Sequence, residues 1–252
     1  MALLEVNNVT MAFGSLVAND RVSFTIEPGS IVGLIGPNGA GKTTLFNCIS
    51  GFYQPTGGRI VFDGRDITRL PAHRVSRLGA VRTFQVVHPL KEMTVLDNVL
   101  VGAFMRHRKT AAARETAERC IRLCHLSEAR DKQAGELTIG GKKRLELARA
   151  MATGPKLLML DEAMAGLTST EVKAAVSLIE NIRADGVTLL VVEHIMEAIM
   201  PIADKVVVLD GGIGIAEGPP ADIIADERVI AAYLGNKFGK QMREAQEAKP
   251  HD

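Results

Sequence analysis

Apolar and polar positions alternate over Leu3–Phe13 and again from Arg21 to the Pro28–Gly29 turn. That period of two predicts two strands, each with one face buried. The next segment, Ser30–Gly36 (SIVGLIG), is almost wholly apolar, the pattern of a strand covered on both faces. It runs into a glycine-rich loop and then Lys42–Ser50 (KTTLFNCIS), a short helix stopped by Gly51. Gly57–Thr68 (GGRIVFDGRDIT) predicts a turn-bounded antiparallel strand.

From about Met93 to Ala152 the pattern changes to a helical period. In Thr110–Leu126, Ala117, Cys120, Ile121 and Cys124 share one face, with Arg and Glu on the other. From Pro155 the chain alternates again. Strands are predicted at 155–162, 187–194, 205–212 and 213–218, with helices over Ser169–Gly186 and 195–203. Strand–helix–strand alternation implies a mostly parallel sheet. The end from Asn236 is polar and of mixed charge.

Composition narrows the class. Of 252 residues, 46% are hydrophobic and 23% charged, ordinary for a globular chain able to bury a core. Thirty Lys+Arg against 29 Asp+Glu leave a net charge of +1, so no global field draws the chain to nucleic acid or an anionic bilayer. Aromatic residues are only 4%, too few for the interleaved stacking that single-stranded nucleic acid needs. No apolar run approaches the ~18 residues of a membrane span. The N-terminus shows no basic-then-apolar leader. Three cysteines cannot make a disulfide framework, which suggests a reducing compartment. Cys120, Cys124 and His125 are close in sequence, but the helical twist turns His125 away, so packing is expected rather than metal binding.

The sharpest chemistry lies in Gly36–Thr44 (GPNGAGKTT), which fits G-x-x-x-x-G-K-[ST] between a buried strand and a helix. Glycines at 36, 39 and 41 let successive backbone N–H groups of Asn38–Thr44 turn inward around an anion, and the following helix adds its positive end. Lys42 would reach β- and γ-phosphates and the Thr43 hydroxyl would ligate Mg2+. A second constellation follows: four apolar residues deliver Asp161 and Glu162 to a strand's C-terminal end, the edge where open α/β sheets bind ligands. Asp161 would hold Mg2+ through water, and Glu162 would orient or deprotonate an attacking water.

With these motifs in this order, the chain resembles the nucleotide-binding subunit of ATP-binding-cassette (ABC) transporters over about residues 3–236. Phe13 resembles the aromatic residue that stacks on adenine. Gln85, in VRTFQVVHPL, resembles the glutamine of the loop that touches Mg2+ and couples to the membrane subunit. Leu137–Met151 resembles the signature segment and its helix, Ala163–Glu171 the loop that links opposing subunits, and His194 the histidine at the γ-phosphate. The resemblance implies an α/β P-loop NTPase with a mostly parallel core sheet, an N-terminal antiparallel β subdomain and an inserted α-helical subdomain. Its boundaries would be 1–88 and 157–235 for the nucleotide-binding core, 89–156 for the helical insert and 236–252 for a polar tail. The implied cofactors are ATP and Mg2+. ATP would lie against Phe13, Gly36, Pro37, Asn38, Gly39, Ala40, Gly41, Lys42, Thr43 and Thr44, with Thr138 and Gly140 contributed across a head-to-tail dimer. Mg2+ would be held by Thr43, Gln85 and Asp161, and Glu162, His194 and Lys42 would be catalytic.

The chain departs from the common L-S-G-G-Q signature. Thr138 keeps a hydroxyl and Gly140 a glycine, but Ile139 and Gly141 replace the other glycine and the glutamine. Lys142 and Lys143 could compensate electrostatically. Ala163 follows Glu162 where proline is common, and Thr168 stands where aspartate is common. The segments around Gln85, the Lys142–Met151 run and the ending Glu217–Gly235 look like the ATPases of branched-chain amino-acid-type importers. This resemblance implies transmembrane permease subunits and a second, identical or homologous ATPase as partners, no nucleic acid, and a peripheral place on the cytoplasmic face of the membrane. The residues from Gln85 to Met93 and the helical middle would dock the permease. An ATPase of a lipid or lipopolysaccharide exporter, an ABC-type ATPase outside transport and a small-molecule kinase are the rival readings.

Overall fold

The computed structural model describes residues 1–83, 88–193 and 195–233, so Gln85, His194 and the tail from 236 lie outside the described residues. Two sheets organise the chain. The first is antiparallel, in the order β2–β1–β4–β5, with β1 at Leu4–Phe13, β2 at Leu16–Ile26, β4 at Gly57–Phe62 and β5 at Arg65–Asp66. The second runs β10–β9–β3–β8–β7–β6, with β3 at Ile31–Ile35, β6 at Ala80–Arg82, β7 at Leu157–Asp161, β8 at Thr188–Val192, β9 at Lys205–Asp210 and β10 at Ile213–Gly218. All neighbours in it are parallel except the β9–β10 hairpin.

The near-continuous apolar runs read as central strands because β3, β7 and β8 are buried at every position. Side chains alternate between the two faces. On β8, Leu189 and Val191 join a core with the helices of the middle segment, while Leu190 and Val192 join the core under the antiparallel sheet. Helix α1 (Lys42–Ile49) plugs the latter with Leu45, Phe46 and Ile49.

The helical middle comprises α3 (Val95–Ala103), α4 (Thr110–Leu123) and α5 (Ile139–Ala152), with two short 3-10 turns between α4 and α5. The face expected of α4 is buried at Ala117, Cys120 and Ile121, and Ala113 extends it. His125 adopts a positive φ of 54°, which ends the helix beyond Cys124. Burial pushes the Cys120 thiol up to about 11 and Cys124 higher still, consistent with structural packing. Among the described residues no group of three or more His, Cys, Asp or Glu could hold a metal, and no helix is long and apolar enough to cross a membrane.

Three elements go beyond the periodicity reading: α2 (Ala72–Leu78), strand β6, and α8 (Pro220–Ala225), the last following α6 (Ser169–Ala184) and α7 (Met196–Ile199). The two helices bury a single side chain each, Val75 and Ile223, so no periodic signal exists to find. Strand β6 has only three residues.

Leu190 is fully buried in the strand between β3 and β7. Leu190→Ala is expected to destabilise the fold by about 2–5 kcal/mol, read as a lower urea midpoint with unchanged slope.

Candidate nucleotide site

The site stands at the C-terminal edge of the parallel sheet. Strand β3 ends at Ile35 and hands the chain to the phosphate loop, while β7 ends at Asp161 and β8 at Val192 two strands and one strand away. The loop glycines are forced. A Cβ on Gly36 would lie 2.1 Å from the Leu209 carbonyl oxygen of β9, and one on Gly41 would lie 2.4 Å from the Ala18 carbonyl oxygen. Both have positive φ, as does Gly39. Gly41 sits at the helix start in the left-handed region, so α1 begins directly from the cradle.

Neighbouring strands brace the loop. The fully buried Asn19 donates from Nδ2 to the Gly41 carbonyl at 3.2 Å, the Gly212 amide donates to Ala40 at 3.2 Å, and the Asp20 amide donates to Gly212 at 2.9 Å. An open cleft of about 570 Å³ lies over the loop. Asn38–Thr44 and Glu162 form part of its lining, with Leu16–Ala18 and Gly211–Gly212 opposite. Phe13 is not among these lining residues: it is half exposed at the end of β1, where its ring meets Tyr53 edge-on at 5.5 Å.

Lys42 is almost buried, and its ammonium donates to the Gly36 and Pro37 carbonyls at 2.7 and 2.9 Å. Burial lowers its pKa, while the charges of Glu162 and Asp161 oppose that shift. The cation, the loop and the two carboxylates therefore form one electrostatic unit. Burial also raises the Asp161 pKa, with Arg82 the largest influence against it. Glu162 follows with φ 48°, a left-handed conformation for a non-glycine residue, and its amide donates to the Val192 carbonyl at 2.9 Å.

The loop after Glu162 is held from two sides. Lys143 of α5 donates to the Ala163 and Ala165 carbonyls at 3.0 and 2.5 Å. The buried Glu193 accepts the Met164 amide at 2.7 Å. Lys143 thus binds its own chain's loop, which gives the replaced signature glutamine no outward-pointing substitute at that position. Thr138 caps α5 by accepting the Gly141 amide, and its backbone neighbours Ile139 and Gly140 stay accessible. A Cβ on Gly140 would meet a Glu171 carboxylate oxygen at 2.8 Å. Glu171 in turn completes a capping box with Thr168 at the start of α6. Thr168 therefore has a local structural task in place of the family's aspartate.

Sequence reading did not single out Asn19, Arg82, Glu193 or the Leu16–Ala18 wall. A buried-strand terminus carrying a charge (Arg82 after Ala80–Val81, Glu193 after Val192) is the signal that was available.

Oxygen donors at Asp161 and Thr43 suit Mg2+. Sheet order, forced-glycine phosphate loop and paired carboxylates define a P-loop NTPase. Comparison with known proteins narrows the class. The ABC transporter family model matches residues 19–165, and a branched-chain amino acid ATP-binding cassette transporter model matches 215–239. The chain is 44% identical to the high-affinity branched-chain amino acid transport ATP-binding protein BraF of Pseudomonas aeruginosa, covering 92% of this chain and 98% of that one. It is 42% identical to LivG of Escherichia coli K12, with the same coverage of each. The ADP conformation of MJ1267, an ATP-binding cassette of an ABC transporter, superposes with a TM-score of 0.85 at 33% identity, over 93% of this chain and 99% of that one. The chain belongs to the ABC transporter family, as an ATP-hydrolysing transporter subunit.

Gly36→Ala is expected to lower ATP affinity by about tenfold or more, because the loop must move away from β9. Equilibrium titration with a fluorescent ATP analogue measures it, and unchanged affinity would mean that the β3–β9 contact does not shape the cradle.

Proposed function

We propose that this chain powers an importer of branched-chain amino acids or related small polar solutes. The match of its C-terminal residues 215–239 to the branched-chain transporter model carries this reading, with relatives of that name aligned over most of the chain. The solute binds elsewhere in such a system, so the cargo is inferred through the partner.

In this reading ATP lies along the cleft with its phosphates in the Gly36–Thr44 cradle. Lys42 exchanges its two loop carbonyls for phosphate oxygens. Thr43, Asp161 and Gln85 hold Mg2+, which would withdraw charge from the β- and γ-oxygens. Glu162 orients the attacking water and accepts its proton. The positive φ of Glu162 and the Lys143 and Glu193 contacts to its loop support that role, since they fix where the carboxylate starts. His194 serves the γ-phosphate, and Phe13 reaches adenine only if the β1–β2 end closes over the cleft.

Two subunits would enclose two nucleotides, the cradle of one facing Thr138 and Gly140 of the other. The start of α5 supports this, because Thr138 and the apolar Ile139 are exposed there and Gly140 is partly exposed. A γ-phosphate bound by both subunits favours the closed state alone, so its hydrolysis reopens the pair. Leu90, Val101, Phe104 and Met105 are exposed apolar side chains on the helical middle, and they support a permease-docking surface there. The chain would then sit peripherally on the cytoplasmic face of the membrane.

Lys42→Ala is expected to abolish tight ATP binding, and wild-type affinity would overturn the cradle assignment. Glu162→Gln should bind ATP but turn over at least ~100-fold more slowly. Light scattering of this variant should show monomer without Mg-ATP and dimer with it. Reassembled with its permease in proteoliposomes, hydrolysis should rise with leucine, isoleucine or valine and the matching solute-binding protein. Stimulation by other solutes alone would remove the cargo assignment and leave the ATPase reading intact.

A further inference from the structure

The three elements expected to supply Mg2+ ligands meet at one side chain outside that set. Arg82 ends β6, three residues before Gln85 in the sequence. Its guanidinium lies over two aromatic rings, 4.8 Å from the centre of Phe46 and 5.0 Å from that of Phe52. Nη1 donates to Asn47 Oδ1 at 2.5 Å and to Ser50 Oγ at 3.2 Å, at the end of α1. Nε donates to the Thr83 carbonyl at 3.3 Å. Nη2 donates to Asp161 Oδ2 at 3.3 Å. The Arg82 side chain is only 10% exposed and that of Asp161 5%.

Burying an ion pair of this kind is poor economy for stability alone, since two desolvated charges of similar shape are commonly replaced by apolar side chains without loss. What a guanidinium adds is a planar fork of fixed geometry, here held against two aromatic rings. Among the described residues Arg82 is the hydrogen-bond donor to the Asp161 side chain. It engages Oδ2, which fixes the carboxylate rotamer, and its other arm grips the helix whose first turn carries Thr43.

We infer that Arg82 is a positioning residue for the metal–nucleotide complex, locking Asp161, α1 and the strand that leads to Gln85 into one geometry. The inference rests on the reading of Asp161 as a metal-binding carboxylate. A residue that merely supplied positive charge would act in the opposite direction: deleting a cation beside Asp161 would let Mg2+ bind more tightly. Second-sphere positioning residues strengthen metal binding instead.

The test is the ratio of ATP dissociation constants measured in EDTA and in excess Mg2+, which reports the metal's share of binding without any turnover. Arg82→Met is expected to leave the EDTA constant within about threefold of wild type and to lower the ratio by about tenfold, or to the Asp161→Asn value if that is reached first. Arg82→Lys keeps charge and stem but loses the fork, and should lower the ratio by a smaller step. It carries the test if thermal melting shows that Arg82→Met does not fold. A wild-type or increased ratio in the folded variant overturns the positioning role. Asp161→Asn, run alongside, separates the two failures. If it too leaves the ratio unchanged, Asp161 is not the metal-binding carboxylate; if it lowers the ratio while the Arg82 variants do not, the inference about Arg82 alone falls.

Discussion

The site depends on β3 running between β8 and β9 as a strand buried at all five positions. Because it has no solvent face, its end cannot drift, and the backbone that leaves it is pressed against the Leu209 carbonyl within a distance only glycine tolerates. The phosphate loop is thus shaped from below by sheet packing rather than by its own turn preferences. The same edge delivers the carboxylates from β7 and the buried Glu193 beyond β8, so that strand register sets the spacing of the chemistry.

A second layer of order lies in how irregular backbone is held. The chain after Glu162 makes a strained start and a loop before α6, yet the amide of Glu162 is bonded to β8, that of Met164 to Glu193, and two carbonyls to Lys143. Lys143 and Glu193 come from different elements, one from the signature helix and one from a strand end. The loop therefore reports the relative placement of the helical segment and the sheet. Movement of α5 would act on the backbone beside Glu162 through a charged hydrogen bond.

Much of this was legible in the chain. Ser30–Gly36 and Pro155–Glu162 announced buried strands by composition, and the loop between β3 and α1 by spacing. The helical face of α4 was readable because four buried positions repeat at helical intervals. What escaped notice shares one cause: its meaning arises only across long sequence separations. Arg82 looks like an ordinary charge until β6 pairs with β7 and brings it to Asp161, 79 residues away. Asn19 meets the phosphate loop across 22 residues of sequence, where its side chain donates to the Gly41 carbonyl. Thr168 looked like a lost aspartate, whereas the fold uses its hydroxyl with Glu171 to start α6. Lys143 was read as a charge that could compensate for the lost glutamine, whereas the fold points it at two carbonyls of its own chain.

Lys42 reaches the cradle with its charge already partnered. Its ammonium donates to the neutral Gly36 and Pro37 carbonyls, which solvate the cation within the loop without cancelling its charge. An incoming anion must displace two short, charge-assisted bonds in a nearly buried setting. A phosphate group that takes up the ammonium must therefore offer oxygens that replace both carbonyls, so Lys42 passes from one set of partners to another rather than from bulk water.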